Sequence, residues 1–164
     1  EKYSEVRVTE IDTIQDALIE INILGDMLGV KDKSRSLIQT ITNLLDQKPD
    51  TTPLSVAYLI WKDPWMTVGK DTYIHDVLQE FNLVNVFGDQ LRYPKISFQK
   101  LASKNPDLIL LSSEPYPFKE KHLAEMQKNF PVSKIQLVNG EWFSWYGSRM
   151  IKAFEWLNGW RSSL

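Results

Sequence analysis

Hydrophobic and polar positions change rhythm once along the chain, at Pro53. Before it, apolar residues recur at helical spacing. Ile14, Leu18, Ile21 and Leu28 predict a helix over 13–28, with Asp12 and Thr13 offering N-cap oxygens and Gly25 and Gly29 weakening and then stopping it. Leu37, Ile38, Ile41, Leu44 and Leu45 share one stripe of a second helix, from about Asp32 to Gln47. At 1.5 Å per residue it spans about 24 Å. Upstream, Val6-Arg7-Val8 reads as a short strand or extended entry. Gln47 to Pro53 is polar, carries two prolines and reads as a linker.

Beyond Pro53 the apolar runs shorten and become continuous. Leu54–Trp61 has the composition of a strand buried on both faces. Asp71 is the expected N-cap of a helix carrying Ile74, Val77, Leu78 and Phe81 at i, i+3, i+4 and i+7. Leu83–Phe87 predicts a short strand, Ser97 opens a short helix with Phe98 and Leu101, and Asp107–Leu111 predicts the next strand. A helix over 119–129, a strand over Lys134–Val138 and a helix over 148–161 complete the series; Ile151, Phe154, Leu157 and Arg161 keep rough register on the last. Four alternations of strand and helix imply an α/β fold, a mostly parallel sheet with helices on both faces, preceded by a helical segment. No internal repeat or low-complexity stretch interrupts the pattern.

Composition removes several function classes. The 164 residues suit one domain, or one with an appendage, and 43% hydrophobic with 24% charged residues is enough for a sizeable core. A formal net charge of −2 gives no electrostatic footprint for nucleic acid, and no basic run suits an anionic membrane surface. Without cysteine there is no disulfide, thiolate metal site or cysteine nucleophile. No apolar stretch approaches the ~20 residues that cross a bilayer. The chain opens on Glu1, so we expect a signal peptide, a tag or a domain to have been removed upstream.

Six Trp, six Tyr and seven Phe mark the chain as aromatic-rich. In open α/β sheets, ligands lie beyond the carboxyl ends of the strands. Here those ends run into 61–66, 89–94, 112–118 and 140–147, and four of the six Trp fall in the first and last of these loops. Trp61, Trp65, Tyr93, Tyr116, Trp142, Phe143, Trp145 and Tyr146 are therefore expected to line a ligand, with Trp61, Trp65, Trp142 and Trp145 facing one shared surface. The alternative is a small core beneath the loops. Pro64, Pro94, Pro115 and Pro117 stiffen the same segments. Arg92 offers a planar donor fork to an anionic or carbonyl-rich ligand, or to loop carbonyls; Arg149, at the start of the last helix, reads as structural.

Catalysis finds little support, and we expect neither enzyme activity, a cofactor nor a metal site. His75 and His122 stand far apart, each expected on a helix surface. Gly147-Ser148-Arg149 lacks the context of a nucleophile elbow, and no glycine loop cradles phosphate. Glu114 and Glu141, in neighbouring loops, are the one candidate acid–base pair.

Taken in order, several segments resemble the C-terminal lobe of the helical-backbone (class III) periplasmic binding proteins. They are Ala57-Tyr58-Leu59-Ile60-Trp61-Lys62-Asp63-Pro64-Trp65-Met66-Thr67-Val68-Gly69, Asp71-Thr72-Tyr73-Ile74, Asn85-Val86-Phe87, Tyr93-Pro94-Lys95-Ile96-Ser97 and Asn105-Pro106-Asp107-Leu108-Ile109. These receptors deliver cobalamin, haem or ferric siderophores to ABC importers. They hold the ligand between two α/β lobes joined by one long helix. The resemblance implies a metal-chelate ligand, an ABC permease as partner and a periplasmic or exported location, with a lipid anchor possible in the full-length protein. It makes residues 1–31 a remnant of the N-terminal lobe, 32–53 the connecting helix and linker, and 54–164 the C-terminal lobe. The rest of the first lobe is absent from this sequence, so the chain offers half a cleft, and its aromatic wall also suits a dimer. The family docks on its permease through an acidic residue of each lobe. Here the C-lobe position falls on Gln99, which is neutral and cannot form that ion pair. Two other readings stay open: a flavodoxin-like cofactor or enzyme domain using the same crevice, and a protein-interaction module using the aromatic surface.

Overall fold

The computed structural model of the chain describes residues 6–164, so the first five residues of the 1–31 segment lie outside the described residues. Two helices come first, α1 (Ile14–Met27) and α2 (Lys31–Asp46). Thr13 caps α1, its hydroxyl accepting from Asp16 N at 3.0 Å while the Asp16 carboxylate accepts from Thr13 N at 2.9 Å. That reciprocal pair satisfies two end groups that a helix leaves open. Val6–Val8 is exposed and forms no strand.

The α/β unit follows, with strands β1 (Leu54–Trp61), β2 (Met66–Thr67), β3 (Leu83–Asn85), β4 (Leu108–Ser112) and β5 (Lys134–Val138). Its helices are α3 (Tyr73–Glu80), α4 (Phe98–Lys104), α5 (Glu120–Asn129), α6 (Glu141–Ser144) and α7 (Arg149–Ser162). β1, β3, β4 and β5 are parallel, and β2 turns back antiparallel against the end of β1. Val56 pairs with Leu108 and Asn85, and Leu59 with Leu111 and Thr67. β3 and β2 therefore follow one another along the side of β1 opposite β4. All four parallel strands end at the same edge, where the ligand crevice of such folds lies.

Side chains alternate across a sheet, and the core divides accordingly. Val56, Tyr58, Ile60, Leu108 and Leu110 face a cluster that takes in Ile14, Ala17, Ile41, Val77, Phe81, Phe154 and Leu157 from α1, α2, α7 and the α3 segment. Ala57, Leu59, Ile109 and Leu111 face a second cluster with Leu101 of α4 and Met126 of α5. Helices thus cover both faces, as the alternation of elements predicts.

Three expectations need correction. Asp71 does not cap α3; Thr72 does, its hydroxyl accepting from His75 N, while Asp71 accepts from Arg92 N. The second strand stops at Asn85, because Val86 and Phe87 enter the following turn. His75 and His122 are buried rather than on helix surfaces, each packed where its helix meets the body of the fold.

Candidate ligand-binding groove

At the carboxyl edge of the sheet lies a groove of about 520 Å³ lined by Ile60, Trp61, Met66, Ile74, Tyr93, Glu114, Pro115 and Ser144. Its size falls in the range of small-molecule sites. Ile60 and Trp61 end β1, Met66 belongs to β2, Ile74 to the first turn of α3, Glu114 and Pro115 follow β4, and Ser144 ends α6. Tyr93 reaches it because its loop is stitched to the β2 segment. Thr67 N donates to Pro94 O at 3.1 Å, Gly69 N to Arg92 O at 2.7 Å and Ile96 N to Trp65 O at 2.9 Å. On the other wall, Gly140 packs so closely on Ser112 and Glu114 that a Cβ would collide with both, and its N–H donates to Ser113 Oγ at 3.0 Å.

The expected aromatics do not share one surface. Trp61 lies in the wall, 39% exposed, with its ring edge-on to Tyr116 at 5.7 Å. Tyr93 lies opposite in the lining and is 48% exposed. Tyr116 braces Trp61 from behind, packs on Phe118 at 4.7 Å, and its hydroxyl stands 3.5 Å from His122 Nε2. Trp65 turns to the other face of the sheet, stacked on Phe118 at 5.9 Å and tilted against Phe98 at 5.1 Å. Phe143 is wholly buried against Tyr58, so it cannot touch a ligand. Trp142 packs tilted against Trp156 at 4.3 Å, and Trp156 stacks on Trp160 at 4.9 Å, a ladder built onto α7. Trp145 and Tyr146 are exposed beside the groove; Tyr146 meets Tyr73 edge-on at 5.8 Å. The shared surface of four Trp is thus replaced by one Trp in the wall, one at the rim and two packed in the body.

Charges around the groove are mostly committed. Arg92 adopts a left-handed backbone (φ 53°), held by its N–H on Asp71 and its carbonyl on Gly69. Its guanidinium meets Asp71 at 3.3 Å and Asp12 at 3.5 Å, carboxylates rather than loop carbonyls. The Arg92 N–H holds the Asp71 carboxyl below the usual carboxylate range. Glu141 pairs with Arg149 at 3.1 Å, and that guanidinium also sits 5.2 Å over the Trp145 ring. Glu114 accepts from Trp145 Nε1 at 2.7 Å and Ser144 Oγ at 3.1 Å. Of the two loop carboxylates, Glu141 is thus paired with Arg149 and Glu114 with Trp145 and Ser144, each with its own partners rather than with the other. Beneath the groove, burial pushes the Tyr58 phenol well above its ordinary pKa, and its hydroxyl lies 3.1 Å from Ser112 Oγ.

Ile60, Met66, Ile74 and Ser144 escaped the sequence reading as site residues. Ile60 and Ile74 look like core positions by periodicity, and Ser144 is masked by the aromatics around it. A second hollow of about 510 Å³ flanks β3, lined by polar groups including Lys70, His75, Gln79 and Asn82. It lies along the open edge of β3, away from the aromatic loops. Among the described residues no three His, Asp or Glu side chains converge on a metal-sized site, and no helix is long and apolar enough to cross a membrane.

No protein-family model matches the chain, and no curated protein matches it in sequence. Solved structures share its fold. A possible iron-binding (periplasmic solute-binding) protein from Staphylococcus epidermidis ATCC 12228 superposes with a TM-score of 0.78 at 20% identity over 96% of this chain. The periplasmic vitamin B12-binding protein BtuF of Vibrio cholerae gives 0.76 at 19% over 94%, and the periplasmic haem-binding protein RhuT of Roseiflexus sp. RS-1 gives 0.76 at 14% over 92%. This chain spans 64% of the length of each of the three. The fold is therefore that of the periplasmic binding proteins which the ordered motifs resemble.

Proposed function

We propose that the chain is the C-terminal lobe of an ABC importer's substrate-binding protein, and that its groove takes one side of a metal chelate such as cobalamin, a ferric siderophore or haem. The observation that carries this is the apolar, aromatic-walled groove at the strand ends, on a fold shared with solute-binding proteins. Trp61 and Tyr93 give ring faces to the chelate, Tyr116 holds Trp61 in place, and Arg92, Trp145 and Tyr146 form the rim. Trp65, Trp142 and Phe143 support the site from inside. On this reading 32–53 is the connecting helix with its linker, 1–31 belongs to the first lobe, and a permease at the exported face of a membrane receives the ligand. The chelate is cargo, so the chain binds it without turnover. This lobe supplies one wall of such a cleft, so residues 1–164 titrated alone should bind weakly.

Isothermal titration of the protein with cobalamin, haem and ferric siderophores tests this. One of them should bind saturably, and Trp61→Ala and Tyr93→Ala should each weaken it about fivefold or more with an unchanged melting midpoint. Equal affinity in both variants, or no saturable binding of any member, would sink the reading.

A further inference from the structure

The groove wall holds six apolar or aromatic side chains, the Ser144 hydroxyl and a single charge, Glu114; Tyr93 adds a phenol hydroxyl to the aromatic set. The Ser144 hydroxyl is occupied, its oxygen 3.1 Å from Glu114 Oε1 and 2.8 Å from Gly140 O. Trp145 Nε1 and Ser144 Oγ both point to Oε1 of Glu114, so Oε1 is satisfied. Oε2 has no partner among the described residues, although Glu114 is half-buried in an apolar wall. Solvent reaches Oε2, so a ligand donor placed there replaces water at an oriented acceptor.

Cations that could offset it are engaged elsewhere. Arg92 is shared by Asp71 and Asp12, Arg149 is paired with Glu141, and Lys62 with Glu125. Lys95, placed opposite Met66 by a backbone bridge, is exposed and makes no ion pair among the described residues. It is a hydrated charge on a flexible stem, whereas Glu114 is positioned by the Trp145 indole N–H. An anionic ligand in this groove faces a fixed like charge; a ligand with an N–H or ammonium group finds an oriented acceptor.

We propose that Glu114 makes the groove selective for uncharged or cationic chelates that present an N–H or ammonium donor, against anionic ones such as ferric catecholates and haem. The inference rests on the reading of the groove as a chelate site and names its substrate class. The chelate's apolar flank lies on Trp61 and Tyr93, and its donor meets Glu114 Oε2. Ligand binding involves no bond making or breaking.

Three probes separate charge from shape: a ferric trihydroxamate with a free ammonium group, its N-acetylated neutral counterpart, and a ferric tris-catecholate. Calorimetric titration of the wild-type protein should rank them in that order, with at least about tenfold between first and last. Glu114→Gln keeps an acceptor for Trp145 and removes the charge. It should weaken the ammonium chelate about fivefold or more, and the acetylated one by a smaller factor, because the Gln Nε2 then stands where Oε2 accepted its N–H. Lys95→Gln should change none of the three by more than about twofold. Tightest binding of the tris-catecholate, lost in Lys95→Gln, would overturn the proposal in favour of an anion site. Equal affinities across the three probes, still weakened by Trp61→Ala, would also overturn it while leaving the chelate reading intact. No saturable binding of any probe would remove both.

Discussion

Asn85 fixes the protonation state of His75. Its Oδ1 accepts from Phe87 N at 3.0 Å, so its Nδ2 is the group that donates to Val68 O at 2.9 Å and faces His75 Nδ1 at 3.1 Å. That ring nitrogen must accept, which leaves the imidazole neutral with its proton on Nε2. His122 is held the same way, its Nδ1 accepting from Lys119 N at 2.9 Å at the start of α5. Burial pushes both pKa values down. At His122 the neighbouring Lys121, Lys62 and Lys119 add to the effect and Glu125 opposes it; at His75 Asp76, Asp71 and a hydrogen bond with Gln79 oppose it. Unfolded histidines bind a proton near pH 6.5, and the folded ones resist it. Stability from this source is complete above about pH 6.5 and is lost as the pH falls below it. The urea midpoint should therefore drop between pH 7 and pH 5, before carboxylates such as Asp71 and Asp107 begin to titrate. The double variant His75→Gln with His122→Gln should flatten that drop; an equal slope in the variant would refute the assignment. Neither burial was legible in the sequence. A lone histidine on a helix does not say which face it takes, and the partner Asn85 enters from a separate strand.

Among the elements, β1 and β5 keep the boundaries that their apolar runs predict, and the longer helices shift by a residue or two at their ends. β2 and α6 were invisible because two and four residues cannot display a period. They form through tertiary contacts: Thr67, on β2, is buried with its hydroxyl donating to Tyr58 O at 2.7 Å. These two elements carry Met66 and Ser144 into the groove, which is why the site was harder to read than the fold. The one-turn α6 also explains Trp142, since it folds the indole back onto the Trp156–Trp160 face of α7. Another join between elements was hidden in plain register. Arg161 occupies a position of the apolar stripe on α7 and is buried there. Its Nε donates to Phe81 O at 2.8 Å at the end of α3, and its Nη2 donates to Thr52 O in the segment before β1. Burial pulls its pKa below the ordinary guanidinium value, and carbonyl oxygens, one at a helix C-terminus, take the place of a carboxylate. Arg161→Met keeps most of the stem and strands those carbonyls, so it should cost about 2–3 kcal/mol by urea denaturation. Arg161→Lys should recover less than half of this, because one ammonium cannot span both sites. A loss within about 0.5 kcal/mol for Met would show the fork to be dispensable.

Across the molecule, the change of rhythm at Pro53 is a boundary of pattern that packing does not follow. Ile14 and Ala17 of α1 and Ile41 of α2 belong to the same cluster as Val56, Val77, Phe154 and Leu157. Ile14 N donates to Asp76 at 2.7 Å, and Asn158 on α7 donates to Leu44 O at 2.9 Å. A helical segment set apart by a change of pattern could in principle melt separately from the α/β unit. The shared core argues for one cooperative unit instead. All six Trp lie beyond residue 53, so fluorescence reports the α/β unit, whereas far-ultraviolet circular dichroism also reports α1 and α2. Ile41 is fully buried, and Ile41→Ala should cost about 2–5 kcal/mol. If the segments fold as one, both signals should fall in a single transition at the same midpoint, and the substitution should move the two together. An early circular dichroism step with the fluorescence midpoint unmoved would mean that residues 14–46 unfold on their own, leaving the groove standing without them.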